Sequence, residues 1–257
     1  MAEYKNCIVA FLDILGFKGI IKNVVFDDVM MIFKRIISEN DAKEALKRSC
    51  TEKDDSLCLY NKALEKTDIR VMSDSIVVAA PSEYKESLAV VIDICNAIQE
   101  ELYELDMPIF LRGAISEGEI YIDGKLIFGK GLVDAYLAQE YYAIYPRIIV
   151  SSQICSNYIV CIDNEKVLPK DDEDEYFYLD TLHQYIDIYN LSYVDCVESE
   201  KYLKLSQYIE NQLTGYSERR VREKYVWIKN ALENALDYDN KMSDYKIEQM
   251  FNKENSK

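Results

Sequence analysis

The chain has 257 residues, a formal net charge of −16 at pH 7 and a hydrophobic fraction of 49%. This length is enough to bury a full core, as one domain or as one domain with an appendage. The negative charge argues against non-specific binding to nucleic acid or to an anionic membrane, because both require a basic surface.

Targeting signals and metal-binding cysteine patterns are missing from the sequence. No apolar stretch is long enough to span a bilayer, and the first residues, MAEYKN, lack the layout of a secretory signal. Seven cysteines stand singly, without CxxC spacing and mostly within apolar patterns. They predict reduced core thiols in a cytoplasmic protein, with neither disulfides nor a zinc site. His183, the only histidine, is predicted to be structural.

The first predicted elements are a buried strand and an amphipathic helix. The strand covers residues 7–13 and ends at Asp13, and Gly16 marks a tight turn after it. Apolar residues at helical spacing predict a helix over 26–38. Residues 40–66 are charged and weakly patterned, so they predict an irregular insertion with about one helical turn.

A hairpin and a long helix come next. Strands 68–73 and 75–80 are predicted to meet across a turn that places Asp74 at the hairpin tip. Ser82 is predicted to cap a helix over residues 83–104, whose apolar side chains recur at helical spacing.

The central part of the chain alternates between strands and helices. The predicted elements are strands 109–117 and 119–122 joined near Gly118, a helix over 131–143, a strand over 147–151 and a strand in YFYLDTL. Asp123-Gly124 is a strong hairpin signal. This alternation predicts a mixed sheet in an α+β or α/β arrangement.

The chain from residue 199 onward is predicted to be mostly helical. Its apolar residues keep helical spacing over a long segment: Val221, Tyr225, Ile228, Leu232 and Leu236. Such a stripe is typical of a helix that packs on its parent domain or on a partner subunit. The polar residues at the C-terminal end are predicted to fray.

Two carboxylates stand in apolar strand patterns, Asp13 in IVAFLDILGF and Asp74 in IRVMSDSIVVAA. A carboxylate in such a place is costly unless it is paired or binds a cation. Each aspartate alone is typical of a turn or a helix cap. Together they favour a divalent metal site, and a nucleoside triphosphate is the first ligand to consider because magnesium also takes phosphate oxygens.

Four blocks of sequence resemble class III nucleotidyl cyclase domains. They are FLDILGF, RVMSDSIVVA, LRGAISEGEIYI and FGKGLVDAYLAQEYYAIYPRIIVSS, in family order over roughly residues 5–180. The resemblance implies an α+β fold with a ferredoxin-like βαββαβ core. The catalytic domain would be residues 1–185, with 40–66 as an insertion and 186–257 as a helical extension.

Within this family the chain looks most similar to the bacterial pyrimidine cyclases of Pycsar anti-phage defence. The short opening before FLDILGFK, the AYLAQEYYAIYPRIIVS block and YFYLDTL carry that closer resemblance. It implies conversion of CTP or UTP into 3′,5′-cyclic CMP or cyclic UMP with release of pyrophosphate. It also implies a homodimer with composite active sites, and an effector protein that binds the cyclic product as a second messenger.

The resemblance assigns the metal site to Asp13 and Asp74, which would be the catalytic residues, with the Ile14 carbonyl as a further ligand. Two Mg²⁺ or Mn²⁺ ions per site would activate the ribose hydroxyl and bind the transferring phosphoryl group. Backbone amides of Leu15, Gly16 and Phe17 would bind the triphosphate.

Base recognition is predicted at Arg70, four residues before Asp74, where adenylate cyclases of the family carry a lysine. A guanidinium suits two adjacent acceptors, which slightly favours cytosine and leaves CTP and UTP both open. The alternative for Arg70 is an ion pair with an acidic neighbour.

The chain departs from the purine cyclases of the family at several positions. The helix after FGKG offers Asp134 or Ala135 and then Ala138 or Gln139 where those enzymes carry Asn and Arg. Apolar residues stand where they carry a base-reading aspartate: Leu126 and Ile127. Their late phosphate lysine is also missing.

Other cations are candidates to replace the missing positive charge. Arg112 and Lys130 are the predicted triphosphate-binding residues, and Arg147 and Lys170 are further candidates. Arg112 could equally form a salt bridge within the sheet, and Lys130 could be a solvated residue at a helix start.

The leading hypothesis is therefore a metal-dependent pyrimidine nucleotide cyclase in the cytoplasm. The alternatives are an adenylate or guanylate cyclase, or a catalytically silent nucleotide-binding dimerisation module with the cyclase fold. A two-metal nuclease is disfavoured by the net charge of −16.

Overall fold

The structure is a computed structural model that describes residues 4–23, 29–30, 32–34, 39–50, 55–123, 126–160, 168–169, 176–186, 195 and 199–235. The chain divides into two compact units, Met1–Leu179 and Asp180–Lys257. The predicted domain boundary between residues 185 and 186 stays a prediction.

Seven strands are described in the first unit. They are β1 (Lys5–Ile14), β2 (Asp68–Met72), β3 (Ser75–Pro81), β4 (Leu111–Asp123), β5 (Leu126–Phe128), β6 (Ile148–Ser151) and β7 (Tyr176–Tyr178). They form one sheet in the order β2-β3-β1-β4-β6-β7, with β5 paired to β4.

Helices connect these strands and continue into the second unit. The first unit contains α1 (Phe17–Asn23), α2 (Glu39–Leu46), α3 (Asp55–Glu65), α4 (Ser87–Tyr103), α5 (Lys130–Tyr142) and α6 (Ser152–Asn157). The second contains α7 (Thr181–Ile186), α8 (Glu200–Gly215) and a helix over 219–235, which we call α9.

The connectivity of the first four strands confirms the predicted α+β fold with a ferredoxin-like core. β1 is antiparallel to both β3 and β4, and β2 is antiparallel to β3. Helices stand between β1 and β2 and between β3 and β4. The chain order is therefore βαββαβ, with the strand order β2-β3-β1-β4 across the sheet. β6 extends this sheet by parallel pairing with β4.

The side chains of β1 alternate between two faces of the sheet, as the period of a strand requires. One set lies in the main core, together with the buried side chains of α4: Ile8, Ala10, Leu12 and Ile14. The other set faces α5, where Phe11 contacts the Tyr136 ring edge-on at a centroid distance of 5.5 Å. Asp13 belongs to this second face.

The long helix α4 begins later than predicted. It starts at Ser87, and the N-cap position is Glu86, so the prediction that Ser82 caps the helix is wrong. The Ser82 amide instead donates to the Asn6 carbonyl at 3.0 Å, which continues the sheet edge beyond β3. The predicted apolar stripe of α4 is confirmed, since Leu88, Val91, Ile92, Cys95, Ile98 and Leu102 are all buried.

The prediction that residues 40–66 are irregular is wrong, because α2 and α3 lie there. The buried side chains of α3 are Tyr60, Ala63 and Leu64, at helical spacing. Tyr60 also donates a hydrogen bond from its hydroxyl to Asp93 Oδ2 on α4 at 2.8 Å. These three buried residues span little more than one helical turn, which is too short a stretch to show a clear period in the sequence. Of the predicted helix over 26–38, residues 29–30 and 32–34 are described, and they are helical.

The predicted break at Gly118 is also wrong, because β4 runs without interruption through it and pairs Gly118 with Cys7. This glycine allows α5 to approach closely. A Cβ added to Gly118 would lie 2.9 Å from the Gly131 backbone. The hairpin predicted at Asp123-Gly124 is supported by the pairing of Asp123 with Leu126, which begins β5.

The second unit is helical in its described part. In YFYLDTL only Tyr176–Tyr178 is a strand, and α7 begins at Thr181, which shortens the predicted strand. His183 is buried, with Nε2 2.9 Å from the Ala235 carbonyl oxygen and Nδ1 against Asp180. These contacts support its predicted structural role. Within α9, Tyr225, Ile228 and Leu232 are buried, while Leu236 and the C-terminal end lie outside the described residues.

Two further sequence expectations concern the membrane and the cysteines. In the described part of the chain, no helix is both long and apolar enough to cross a bilayer. Cys7 and Cys95 are buried, as predicted for core residues, whereas Cys50 is exposed and Cys58 and Cys155 are half-buried. Cys161 and Cys196 lie outside the described residues.

Candidate active site

The two predicted metal ligands lie at one edge of the sheet. Asp13 is the penultimate residue of β1 and stands opposite Ser75 of β3. Asp74 immediately precedes Ser75, at the tip of the hairpin between β2 and β3. A hydrogen bond of 2.9 Å from the Ile14 amide to the Asp74 carbonyl joins the strand end to the hairpin tip.

The Ile14 carbonyl is directed toward the same side as Asp74. The Leu15 amide donates to the Phe110 carbonyl at 2.9 Å, on the side of β1 where β4 lies. In a trans peptide the C=O of one residue and the N–H of the next point in opposite directions. The Ile14 carbonyl therefore points away from β4, toward the β3 side where the hairpin tip lies.

The hairpin tip is conformationally unusual. Ser73 has a φ of 58°, in the left-handed region that residues other than glycine adopt rarely. Within the described residues, the half-buried Asp74 carboxylate has no hydrogen-bond or ion-pair partner. A strained turn that presents a carboxylate without a counter-ion is an arrangement that favours binding of a cation.

Asp13 differs from Asp74 because a guanidinium neutralises it. Arg112, directly opposite Asp13 on β4, donates from Nη2 to Asp13 Oδ2 at 3.0 Å. The Asp13 side chain is 24% exposed and that of Arg112 is 20% exposed, so the pair is partly shielded from water. Arg112 also contacts Gln139 of α5, a residue the sequence did not single out as a site residue.

The turn after β1 contains the predicted triphosphate-binding amides. The Leu15 amide is engaged with the Phe110 carbonyl and so does not face the turn. Gly16 has a φ of 76°, and its carbonyl accepts from the Gly19 and Ile20 amides at the start of α1. Among the described residues, the Gly16 and Phe17 amides have no acceptor, which leaves them open to a ligand.

The predicted base-recognition residue, Arg70, lies on β2 opposite Val77. Val77 in turn stands opposite Phe11, so Arg70 lies on the same sheet face as Asp13 and Arg112. Arg70 Nη2 donates to Asp68 Oδ1 at 3.0 Å, and both side chains are about two-fifths exposed. Asp68 is therefore a second polar group beside Arg70, the predicted base-recognition residue. Asp68 was not among the predicted site residues, although its i, i+2 spacing from Arg70 on a strand could have predicted the contact.

The other cations are placed differently. Lys130 is exposed, at the start of α5, and forms an ion pair with Asp134 one helical turn later. Arg147 is buried, and it donates to the Tyr142 carbonyl at 3.4 Å at the end of α5. Lys170 lies outside the described residues.

Lys130 lies far from Asp13 in the same chain. The start of α5 packs on Gly118, which pairs with Cys7, whereas Asp13 lies six residues further along β1. Six strand residues span about 20 Å, which a lysine side chain cannot bridge. One chain therefore does not bring Lys130 to the carboxylates.

The oxygen groups at the strand end fit a hard divalent cation. Magnesium is usually bound by one or two carboxylates, with water and substrate phosphate as the other ligands. Asp13, Asp74 and the Ile14 carbonyl supply oxygen only, which matches that preference. In the described part of the chain, no group of three or more His, Cys, Asp or Glu side chains is arranged to hold a metal, so the two aspartates would need backbone, water or substrate oxygens to complete a site.

No family model matches the sequence, and no curated protein does. Solved structures of cyclase domains are similar to this chain. The monomeric guanylyl cyclase domain of the RhoGC fusion protein from the aquatic fungus Blastocladiella emersonii is 17% identical, with a TM-score of 0.48, and the match covers 69% of this chain and 97% of that one.

Two bacterial cyclases are similar over the same share of the chain. The adenylyl cyclase CyaB from P. aeruginosa is 14% identical, with a TM-score of 0.41, and the match covers 69% of this chain and 95% of that one. The adenylate/guanylate cyclase/hydrolase from Silicibacter pomeroyi is 17% identical, with a TM-score of 0.38, and the match covers 69% and 96%.

Proposed function

We propose that this protein is a metal-dependent nucleotide cyclase that converts CTP or UTP into the 3′,5′-cyclic monophosphate and pyrophosphate. The observation that carries the proposal is the group of oxygen ligands at the end of β1. The Asp74 carboxylate has no partner among the described residues, and Asp13 and the Ile14 carbonyl lie at the same sheet edge. The sequence blocks that contain these residues resemble the metal-binding strand and hairpin of class III cyclases.

In this mechanism Asp13, Asp74 and the Ile14 carbonyl would hold Mg²⁺ or Mn²⁺, two ions per site. Bound there, the ions would lower the pKa of the ribose 3′-hydroxyl and neutralise charge on the phosphates. The 3′-oxygen forms a bond to the α-phosphorus and its proton passes to solvent. The bond from that phosphorus to the bridging β-phosphate oxygen breaks, and pyrophosphate leaves.

Positive charge and backbone donors for the triphosphate come from three places. Arg112 lies beside Asp13 and needs little movement to reach a phosphate bound there. The Gly16 and Phe17 amides line the turn after β1, and Leu15 holds that turn to the sheet. Lys130 contributes from a second copy of the chain, since its own copy places it too far from Asp13.

A pyrimidine base suits the face of the sheet that carries Arg70 and Asp68. The pair presents guanidinium donors beside a carboxylate acceptor. Cytosine and uracil each offer an acceptor next to a donor along one edge and so fit such a pair; adenine and guanine do too, so the pair alone does not select a pyrimidine. The positions where purine cyclases carry a polar base reader are Leu126 and Ile127, and apolar side chains cannot read a purine edge.

A homodimer completes the proposed site. Large apolar side chains are exposed on β5, on α5 and just after α5: Leu126, Phe128, Val133, Tyr136, Leu137, Tyr141, Tyr142 and Ile144. A surface of this kind marks an interaction site, and a two-fold dimer buries the same surface on both copies. The enzyme would act in the cytoplasm, and its product would be an anti-phage second messenger for an effector protein.

One observation favours a silent module instead. Arg112 forms an ion pair with Asp13, and a protein that only binds nucleotides or dimerises could retain the carboxylate for that pair. A purine cyclase is the other alternative, since the metal chemistry does not depend on the base.

The test is incubation of the purified chain with ATP, GTP, CTP and UTP in turn, with Mg²⁺ or Mn²⁺, and analysis of products by mass. Cyclic CMP or cyclic UMP that disappears in Asp74→Asn is the expected result. Cyclic AMP or cyclic GMP as main product would establish the purine alternative. Metal-dependent triphosphate binding without any cyclic product would favour the silent module.

A further inference from the structure

Gln139 is a buried polar side chain on the face of α5 that packs on the sheet. It is 1% exposed and follows two small buried residues at four-residue spacing, Gly131 and Ala135. Its amide oxygen accepts from both Arg112 Nε and Arg112 Nη2 at 2.7 Å. Hydrogen bonding assigns this amide orientation, because the opposite one would set the amide donors against the guanidinium donors.

Arg112 thus has two kinds of partner. Gln139 holds it through two hydrogen bonds with a neutral oxygen, and Asp13 accepts from Nη2 at 3.0 Å as a charged oxygen. A cation bound at Asp13 competes with the guanidinium for the carboxylate, because both are positive. Gln139 takes no part in that competition, so its contact with Arg112 persists.

We propose that Gln139 is a positioning residue, which keeps the Arg112 guanidinium at the site when Asp13 binds a cation. The released Nη2 donor then passes from Asp13 to an oxygen of the triphosphate. A neutral acceptor suits this role, since a carboxylate in place of Gln139 would neutralise the guanidinium that the phosphate needs. This inference rests on the proposed function.

The same contact explains how the chain manages without an arginine on α5. Gln139 occupies one of the two α5 positions aligned with the helix arginine of purine cyclases. Here the guanidinium comes from β4, and the helix supplies only the group that holds it.

The test is a double-mutant cycle on triphosphate binding, read by calorimetry with 3′-deoxy-CTP and 3′-deoxy-UTP, which lack the hydroxyl needed for cyclisation. Gln139→Met and Arg112→Met are each expected to weaken binding about tenfold, the usual scale for a hydrogen bond to a charged group. The double variant is expected to bind within about twofold of Arg112→Met, because Gln139 acts through Arg112.

Gln99→Met is the matched control. Gln99 is also buried, and its amide bonds the Ile109 carbonyl and the Leu111 amide at 2.8 and 2.7 Å. Any change in the free energy of triphosphate binding caused by Gln99→Met should add to the change caused by Arg112→Met. Circular dichroism and urea unfolding verify that each variant folds. Gln139→Asn, whose amide is too short to reach Arg112, replaces Gln139→Met if the latter does not fold.

Two outcomes separate the positioning role of Gln139 from the cyclase activity itself. If Gln139→Met weakens binding by the same factor with and without Arg112, the positioning role is wrong and the proposed function stands. If the wild-type chain binds no triphosphate with any divalent cation, both are wrong.

Discussion

The Ile14 amide donates to the Asp74 carbonyl at 2.9 Å, and this hydrogen bond ties the end of β1 to the tip of the β2–β3 hairpin. The two residues are far apart in sequence, yet the antiparallel register of β1 with β3 brings them together. The bond continues that register by one residue beyond Ser75. Asp13, Asp74 and the Ile14 carbonyl consequently lie at one end of the sheet.

Replacing one carboxylate ligand by the isosteric amide should abolish turnover without disturbing the fold at the end of β1. Asp74→Asn is expected to lower cyclase activity by at least about a hundredfold, since even the indirect partners of metal ligands cost roughly 10–100-fold. The free energy of unfolding without metal should change by less than about 0.5 kcal/mol, because the carboxylate has no partner among the described residues.

Asp13→Asn is expected to have the same effect on activity and to keep an oxygen that accepts from Arg112. Asp123→Asn is the control, because Asp123 is exposed at the far end of β4 and accepts only from Tyr121 at 3.3 Å among the described residues. Product analysis measures the cyclase activity of each variant, and urea unfolding measures its free energy of unfolding. Full activity in Asp74→Asn would place the metal elsewhere.

In the turn after β1, backbone conformation and not a lack of space for a side chain restricts substitution of Gly16. A Cβ at Gly16 would meet no atom within 4 Å, yet the φ of this residue is +76°. Gly16→Ala should therefore lower the free energy of unfolding by about 1 kcal/mol, through left-handed strain alone. Gly19, in helix α1, also has nothing within 4 Å and no positive φ, so Gly19→Ala should raise it by up to about 1 kcal/mol.

Urea unfolding of the two glycine variants measures this contrast directly. Equal effects of the two substitutions would contradict the assigned backbone conformation. If Gly16→Ala also weakens triphosphate binding while Gly19→Ala does not, the turn amides contribute to the site as proposed.

Much of the fold and the position of the carboxylates could be predicted from local pattern. Short apolar runs predict β1 and the two strands of the hairpin, and the polar residues between the hairpin strands predict its turn. These local patterns place Asp13 at a strand end and Asp74 in a turn, and no long-range contact needs to be known. The helices within 40–66 could not be predicted this way, since α3 buries only three residues, which span little more than one turn. The contact of Gln139 with Arg112 joins α5 to β4, so no local pattern reveals it.

The buried cysteines should resist alkylation. Burial raises the pKa of the Cys7 thiol to about 11 and also raises the pKa of the Cys95 thiol. The thiolate is the reactive form, so burial lowers the reactivity of both thiols at pH 8. Labelling of Cys7 by iodoacetamide should be slow at pH 8 and rise as the pH is raised.

Peptide mapping after brief labelling at pH 8 should show modification of exposed Cys50 before that of Cys7 or Cys95. Labelling in urea, where burial is lost, is the control and should modify all three. Rapid modification of Cys7 in the native protein would contradict its place between the sheet and α5.

Arg70 should govern the choice of base and contribute little to stability. Arg70→Met is expected to lower kcat/KM about tenfold for the preferred pyrimidine and to reduce its preference over the others. The Arg70–Asp68 ion pair is about two-fifths exposed, so its loss should cost less than about 1 kcal/mol of stability.

Lys66→Met is the matched control for Arg70→Met. Lys66 forms an exposed ion pair with Glu83 at 2.7 Å, and its loss should leave the base preference unchanged. Kinetics with all four triphosphates measures the effect. An equal fall in kcat/KM for every base would assign Arg70 to the phosphates or to the fold.

The distance between Lys130 and Asp13 within one chain leads to a complementation test. Asp13→Asn and Lys130→Met dimers should each be nearly inactive. Mixed after subunit exchange, half of the dimers are heterodimers, and each of these has one site with both residues intact. About a quarter of wild-type activity should return.

The control is a mixture of Asp13→Asn with Asp74→Asn, which should stay inactive because one chain supplies both carboxylates to the same site. Recovery in the control, or none in the first mixture despite heterodimer formation, would contradict a composite site in which Lys130 comes from the second copy.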